Sequence, residues 1–336
     1  MPSDCGGVRL TVMAWGARLR RLLVSADVGD WFAVVDMIMF DFRLIDCPFC
    51  EVNDTTVRGL RGGAHHRFGH GIEVTVVECN RCKLLYANPF PFPKEGAVLY
   101  GDADQYFALH NEDTKVVHYR GLAQEMVQRS GVSEPRIVDV GCGRGEFVNA
   151  CLLEGYKRVE GFDTSPAFVA YARNKYGDHF HEGTVEAFAS GERLGSYDIV
   201  MLNAVLEHAH NPSSMLAACA QLLKPGGLIY IDIPNERYLL NGVANFLSRI
   251  RNRKTVYYLA PTWDPYHVFG FGKQTVRHIL KQHGFELLSM QAVAAPVFKS
   301  SGGIRQQVFA FAVTQLNRIS NLTDSAGNFT IFARKR

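Results

Sequence analysis

Four of the eight cysteines stand in two pairs, Cys47-Pro-Phe-Cys50 and Cys79-Asn-Arg-Cys82, with 28 residues between the pairs. Two residues between thiols let a tight turn aim both sulfurs at one tetrahedral ion, and two such turns close the coordination sphere. That is the pattern of a structural Zn2+ site, with no position left open for chemistry. The expected ligand set is Cys47, Cys50, Cys79 and Cys82. His65, His66 and His70 lie between the pairs and are alternative ligands, although a loop histidine more often faces solvent. Cys142, Cys151 and Cys219 read as small packing residues, and Cys5 carries no reading.

A second cluster is the run Val138-Asp-Val-Gly-Cys-Gly-Arg-Gly-Glu-Phe147. Gly141, Gly143 and Gly145 follow a strand pattern and open a helix pattern, where missing side chains let the backbone turn tightly and approach a ligand. A dinucleotide loop, G-x-G-x-x-G, would need its third glycine at 146, and this chain has Glu146 there. A carboxylate at that helix start repels a pyrophosphate. S-adenosylmethionine has no phosphate; its sulfonium, amino-acid end, ribose and adenine suit such a loop. About 20 residues further on, the strand 158–162 runs into Asp163, a carboxylate able to accept from both ribose hydroxyls. Its competing role is a cap for the helix that starts at Ser165-Pro166.

These residues need a scaffold. Strand patterns at 136–140, 158–162, 197–202 and 228–233 alternate with helix patterns at 145–154, 165–176 and 212–223. That alternation implies βαβ units: an α/β fold, a doubly wound, mostly parallel sheet. Further strands at 286–293 and 328–334, separated by a helix at 306–319, form an expected antiparallel terminal pair. The Pro-rich run 88–93 reads as a stiff linker. The expected organisation is an N-terminal extension at 1–40, a zinc-binding module with its linker at 44–93, and an α/β domain at 114–336.

The extension contains nothing that either motif needs, and a start at Met37 is expected to suffice. Its arginines fit a transit peptide, but a secretory h-region and cleavage site are missing. No apolar run reaches the length of a membrane span. Paired cysteines in a chain of this length point to a reducing compartment, and the expectation is a cytoplasmic protein. A net charge of +3 is too mild to require a polyanionic partner; it does not address oligomeric state.

Four segments in order, VDVGCGRGEF, VEGFDTSP, YDIVMLNAVLEHAHNP and LLKPGGLIYIDIPN, make residues 119–293 resemble the class I S-adenosylmethionine-dependent methyltransferases. The nearest likeness is to the branch with ubiquinone-biosynthesis O-methyltransferases and small-molecule methyltransferases. The string ECNRCKLLYANP resembles the zinc-ribbon leader found ahead of such domains in bacteria, so the likeness reaches from 44 to 293. It implies a seven-stranded sheet with a terminal antiparallel strand. It places Asp139, Gly141, Cys142, Gly143 and Gly145 around the methionine and sugar end of the cofactor, Asp163 on the ribose, Thr184 and Val185 at the adenine, and Asn203 at the rim. Many relatives have an acid where this chain has Thr184. The quinone enzymes have a further acid where this chain has Ala204, beside Glu207 and His208, so no catalytic metal is expected.

For a hydroxyl acceptor the protein must also remove a proton. His267 and His208 are the candidate bases, with Tyr266 as orienting donor, in a segment Asp264-Pro-Tyr-His267 similar to one on the substrate side of that branch. His208 reads equally as a buried histidine bonded to a backbone carbonyl. The charge run Arg249, Arg251, Arg253 and Lys254 is either a solvated helix face or part of a lid over a small-molecule acceptor. Rival readings are an RNA methyltransferase whose zinc module binds nucleic acid, and a non-catalytic cofactor-binding scaffold.

Overall fold

Runs such as Ile137-Val-Asp-Val140 and Tyr197-Asp-Ile-Val-Met-Leu202 are apolar on both pleat faces, which suits strands covered by helices on each side. A computed structural model describes residues 40–65, 72–94, 112–260, 267–293 and 303–336. Residues 1–39, His66, His70, Asp264 and Tyr266 lie outside the described residues.

The main sheet is built from β6 (Ile137–Val140), β7 (Val159–Asp163), β8 (Phe180–Glu182), β9 (Tyr197–Asn203), β10 (Leu223–Pro234), β12 (Phe285–Val293) and β13 (Asn328–Lys335), in the order β12-β13-β10-β9-β6-β7-β8. β7, β6, β9 and β10 pair in parallel, and β8 extends them beside β7. β13 is antiparallel to both β10 and β12. The last strand is therefore an inserted one, wedged between its neighbours instead of hung on the edge.

One face is covered by α1 (Glu112–Ser130), α2 (Glu146–Leu153) and α3 (Pro166–Tyr176), which contribute Met126, Phe147 and Val169 to a buried cluster with Ile137 and Ile199. The other is covered by α4 (Val185–Phe188), α5 (Pro212–Leu222) and α7 (Lys273–Gln282), through Phe188, Leu216 and Ile279. From β6 the chain winds outward to β7 and β8 and then returns to β9. The crevice of such a sheet lies beyond the carboxyl ends of its strands, where the winding reverses; here that is between β6 and β9. α6 (Leu239–Ile250) follows β10, and α8 (Ile304–Leu322) separates β12 from β13.

The cysteine segment is not a bead on a string. β2 (Thr55–Arg61), β3 (Val74–Cys79) and β4 (Leu85–Ala87) form a sheet whose fourth strand, β11 (Phe269–Gly270), comes from the far side of the chain. Phe49, Leu84 and Tyr86 belong to the same buried cluster as α5 and α7, and Gln282 Nε2 donates to the Phe49 carbonyl at 2.7 Å. The Pro-rich run differs from a spacer. Phe90–Pro93 is β5, paired antiparallel with β1 (Phe40–Arg43); prolines are tolerated because each strand of a two-stranded ladder is an edge. Phe90 is buried against Phe269, with ring centroids 5.3 Å apart.

This pairing sets where the chain can be shortened. A chain starting at Met37 keeps β1 and is expected to hold its melting temperature. A start at Leu44 strips the partner from β5 and uncovers Phe90, at a cost of about 2 kcal/mol or more from lost apolar burial. Thermal melts of the two truncations check this, and equal stability would show that β1 contributes nothing.

Candidate active site and cysteine centre

The two cysteine turns are built alike. In the first, Cys47 N–H donates to Val52 O and Glu51 N–H to Cys47 O; in the second, Cys79 N–H donates to Leu84 O and Lys83 N–H to Cys79 O. Glu51 (φ 52°) and Lys83 (φ 65°) both adopt the left-handed backbone that closes such a turn. The result brings one sulfur from each of Cys47, Cys50, Cys79 and Cys82 within 4.8 Å of all the others. The Cys47 and Cys82 sulfurs are 3.5 Å apart, and the hydrogen bond from Cys82 favours thiolate on Cys47. His65 is drawn instead toward Glu73, 3.7 Å away.

The glycine loop leaves β6 and turns into α2. Gly141, Gly143 and Gly145 all have positive φ, but their surroundings differ. A Cβ on Gly141 would meet Val205 at 2.6 Å and one on Gly145 would meet Phe180 at 2.4 Å, whereas one on Gly143 would project into open space. Two of these glycines serve packing, and the middle one leaves room.

Asp163, at the end of β7, ties the loop down. Its Oδ2 accepts from Gly143 N–H at 2.9 Å and its Oδ1 from Ser165 N–H at 2.8 Å. Ser165 itself caps α3 by accepting from Phe168 N–H, so the capping role falls mainly on the serine. Burial raises the Asp163 carboxyl above the usual carboxylate range, against the backbone donors that lower it. Asp139 is wholly buried; burial, then the charges of Glu146 and Asp163, push it up to about 8. Acids therefore converge on the loop from three positions.

Asn203, at the end of β9, donates to the Tyr119 hydroxyl at 2.9 Å. Burial pushes that phenol up, as do Asp139, Glu146 and Asp232 nearby. Tyr119 and Asp232 gave no signal as site residues in the sequence, because Tyr119 belongs to a helix with no motif and Asp232 is an interior strand residue; Glu146 stood out there only as the acid that a pyrophosphate loop would not carry. Thr184 caps α4, accepting from Ala187 N–H at 3.3 Å, and Val185 is buried. A cavity of about 230 Å³ opens beside Thr184 and is lined also by Glu182 and Phe188. Glu182 is the register partner of Asp163 on the adjoining strand.

The histidines meet. His208 follows β9 in a short 3-10 turn and His267 immediately precedes the Val268–Glu207 backbone bond, and their rings stand edge to face with centroids 4.8 Å apart. Glu207, His208 and His267 each offer a ligand-type atom within 4.8 Å of the others. Glu236, just after β10, places Oε1 at 3.9 Å from His267 Nδ1. Burial lowers the His267 pKa, but Glu236 and Glu207 overcome it, and the net direction is up. Burial pushes Glu207 up to about 7. His208 cannot be removed without disturbing His267, so the two are not independent sites. The sequence marked both histidines but not Glu236, which sits in an insertion without periodicity.

A family model described as a methyltransferase domain matches residues 113–290. Over 151 residues the chain is 33% identical to a ubiquinone biosynthesis O-methyltransferase of Sodalis glossinidius, covering 43% of this chain and 60% of that one. A protein of the same description from Aromatoleum aromaticum is 32% identical over 116 residues, 33% of this chain and 49% of that one. The chain thus spans 49–60% of the length of these curated relatives. A crystal structure of a SAM-dependent methyltransferase from Archaeoglobus fulgidus aligns at 22% identity with a TM-score of 0.43, over 64% of this chain and 94% of that one.

Proposed function

This chain belongs to the methyltransferase-domain family, and from that membership we propose that it moves the methyl group of S-adenosylmethionine to a hydroxyl of a small-molecule acceptor. The observation that carries the reading is the acid-rimmed loop: Gly143 opens onto free space while Asp163 grips its N–H, and Asp139 and Glu146 stand beside them. Crowded carboxyls, whose burial and mutual repulsion disfavour their charged forms, are relieved by a bound sulfonium or ammonium and opposed further by a phosphate. The donor set therefore fits this cofactor and disfavours a dinucleotide.

When bound, S-adenosylmethionine supplies an electrophilic methyl group. Asp163 would hold the ribose hydroxyls through its remaining acceptor capacity. Asp139, Gly141, Cys142, Gly143 and Gly145 would surround the methionine end, with Asn203 and Tyr119 at its rim. Thr184 and Val185 would border the adenine, with Glu182 as the carboxylate that Thr184 lacks. His267, held between Glu236 and Glu207, would take the acceptor proton at a ring nitrogen, and His208 would pack its ring in place. Tyr266 remains the orienting donor in this proposal. Zn2+ on Cys47, Cys50, Cys79 and Cys82 would be structural, since four sulfurs fill its coordination sphere.

A small acceptor is supported by the names of the curated relatives. Among the described residues no helix is long and apolar enough to cross a membrane, and a cytoplasmic site of action is part of the proposal. Labelled cofactor incubated with a metabolite extract, followed by mass spectrometry, tests the activity; label found only in RNA would favour the RNA reading. Calorimetric titration tests the cofactor site. Asp163→Ala removes two hydrogen bonds to ribose and the tether of Gly143, and is expected to weaken S-adenosylmethionine binding roughly a hundred-fold. Gly143→Val, which fills the open space, is expected to abolish it. Unchanged affinity in both variants, with melts showing them folded, would remove this loop from the site.

A further inference from the structure

A second cleft, of about 470 Å³, lies where the cysteine module meets the α/β domain. The second cysteine turn contributes Glu78 and Lys83, the loop after β10 contributes Arg237, the first turn of α7 contributes Lys273 and Thr275, and the loop before β13 contributes Asp324. α7 starts at the carboxyl edge of the sheet, so this cleft shares that edge with the glycine loop but sits beyond β10. Asn235 and Arg237 line it, while Glu236 between them approaches His267.

Its charges are unevenly spent. Glu78 is ion-paired with Arg58 at 2.8 Å and with Arg237. Asp324 is ion-paired with Lys273, and its other oxygen accepts from Ala292 N–H at 2.9 Å. Both acids are thus neutralised by basic partners. Lys83 has no side-chain hydrogen bond or ion pair among the described residues. Gly272 at the start of α7 provides no side-chain cap, which leaves the first N–H groups of the helix and its positive dipole end without an intrahelical acceptor. Thr275 is 0% exposed, and its Oγ1 has no hydrogen-bond partner. A buried hydroxyl without a partner costs stability unless something else fills its bonding capacity.

We propose that this cleft binds the phosphate of a phosphorylated small molecule, with Lys83, the α7 amino terminus and the Thr275 hydroxyl as its donors. Uncapped helix N–H groups, an unspent ammonium and a hydroxyl are what an oxyanion requires. The volume exceeds that of a phosphate and falls in the range of small-ligand sites, so the anion carries an organic body. On the methyl-transfer reading, on which this last step rests, that body is the acceptor, its anionic end anchored one residue away from Glu236. A nucleic-acid strand fits less well, because Arg237 and Lys273 are already spent on Glu78 and Asp324, which leaves too little free positive charge for a run of phosphates.

The test uses the full-length, zinc-loaded chain at low ionic strength. Isothermal titration with inorganic phosphate, and separately with ribose 5-phosphate, is expected to show saturable one-to-one binding, tighter for the sugar phosphate. Lys83→Gln and Thr275→Val should each weaken it roughly ten-fold, with S-adenosylmethionine affinity unchanged and the ligand-free melting temperature unchanged in Lys83→Gln and no lower in Thr275→Val. No saturable binding of either probe, or binding that both variants leave untouched, overturns the proposal. So does tight binding of a uridine homopolymer that phosphate fails to displace. Phosphate binding that persists in a protein that fails to bind S-adenosylmethionine would sink the methyl-transfer reading and leave the cleft standing.

Discussion

Stripping the metal from the cysteine centre is expected to unfold the module and to release the segment that carries His267. The sulfurs of Cys47, Cys50, Cys79 and Cys82 are mutually within 4.8 Å, and a structural zinc in such a set contributes on the order of 10 kcal/mol of binding free energy that is also folding free energy. Apart from the metal, the module holds its turns by the β2-β3-β4 ladder and by Phe49, Leu84 and Tyr86, which pack against the α/β domain. Its sheet also includes Phe269–Gly270, two residues beyond His267, so disorder in the module reaches the candidate base directly. Elemental analysis should give one zinc per chain, lost in Cys47→Ser/Cys50→Ser, together with a lower melting temperature. Purified protein free of metal, or these cysteines joined as disulfides, would refute the assignment.

The second large effect concerns proton removal. His267→Ala is expected to lower turnover roughly a hundred- to ten-thousand-fold and to leave S-adenosylmethionine affinity nearly unchanged, because the proposed cofactor contacts belong to β6, β7 and β9. Glu236 and Glu207 raise the His267 pKa above its ordinary value. A base acts only when neutral, so the acid limb of kcat/KM should lie above the ordinary histidine value, and activity should fall as pH drops through it. Glu236→Gln removes a charge that favours the imidazolium and should move that limb to lower pH. Full turnover by His267→Ala on the true acceptor at every pH would exclude the role. His208→Ala is no neutral control: the edge-to-face contact of the rings means that its loss alters His267 as well.

The sequence showed those parts of the fold that local pattern determines. Apolar runs doubly buried in a parallel sheet announce themselves, and β6, β7 and β9 fall within a residue or two of the expected bounds; β10 starts earlier, at Leu223 instead of 228. The antiparallel pair β12 and β13 also appeared as expected, with α8 between them. The cysteine spacing and the Gly-x-Gly-x-Gly loop were equally legible as local patterns: the fold gathers the four sulfurs and gives all three glycines positive φ.

What stayed hidden depends on long-range contact. Phe269–Gly270 is too short to register as a strand and exists only because Leu85 and Tyr86 are there to pair with it. Phe90–Pro93 looked like a spacer, since prolines forbid a central strand; nothing local says that Phe40–Arg43 will lie beside it. Glu236 became visible only when the loop after β10 was folded back onto His267. The cleft between module and domain has the same origin, since its lining comes from four separate stretches of chain.

The borrowed strand also dictates the order in which the molecule can be made. Tyr86 and Phe269 face each other across a ladder, although about 180 residues of chain lie between them, and such distant pairings form late. As the chain emerges from the ribosome, both cysteine turns and a three-stranded β2-β3-β4 sheet can assemble and take up metal early, but the edge at β4 stays bare until the five strands from β6 to β10 have been synthesised. Over that interval an unpaired strand edge is open to the wrong partner. Nascent chains arrested before Phe269 should therefore aggregate or recruit chaperones more readily than chains arrested after Phe271, and the module should not transplant as a free-standing cassette onto a domain that lacks this strand.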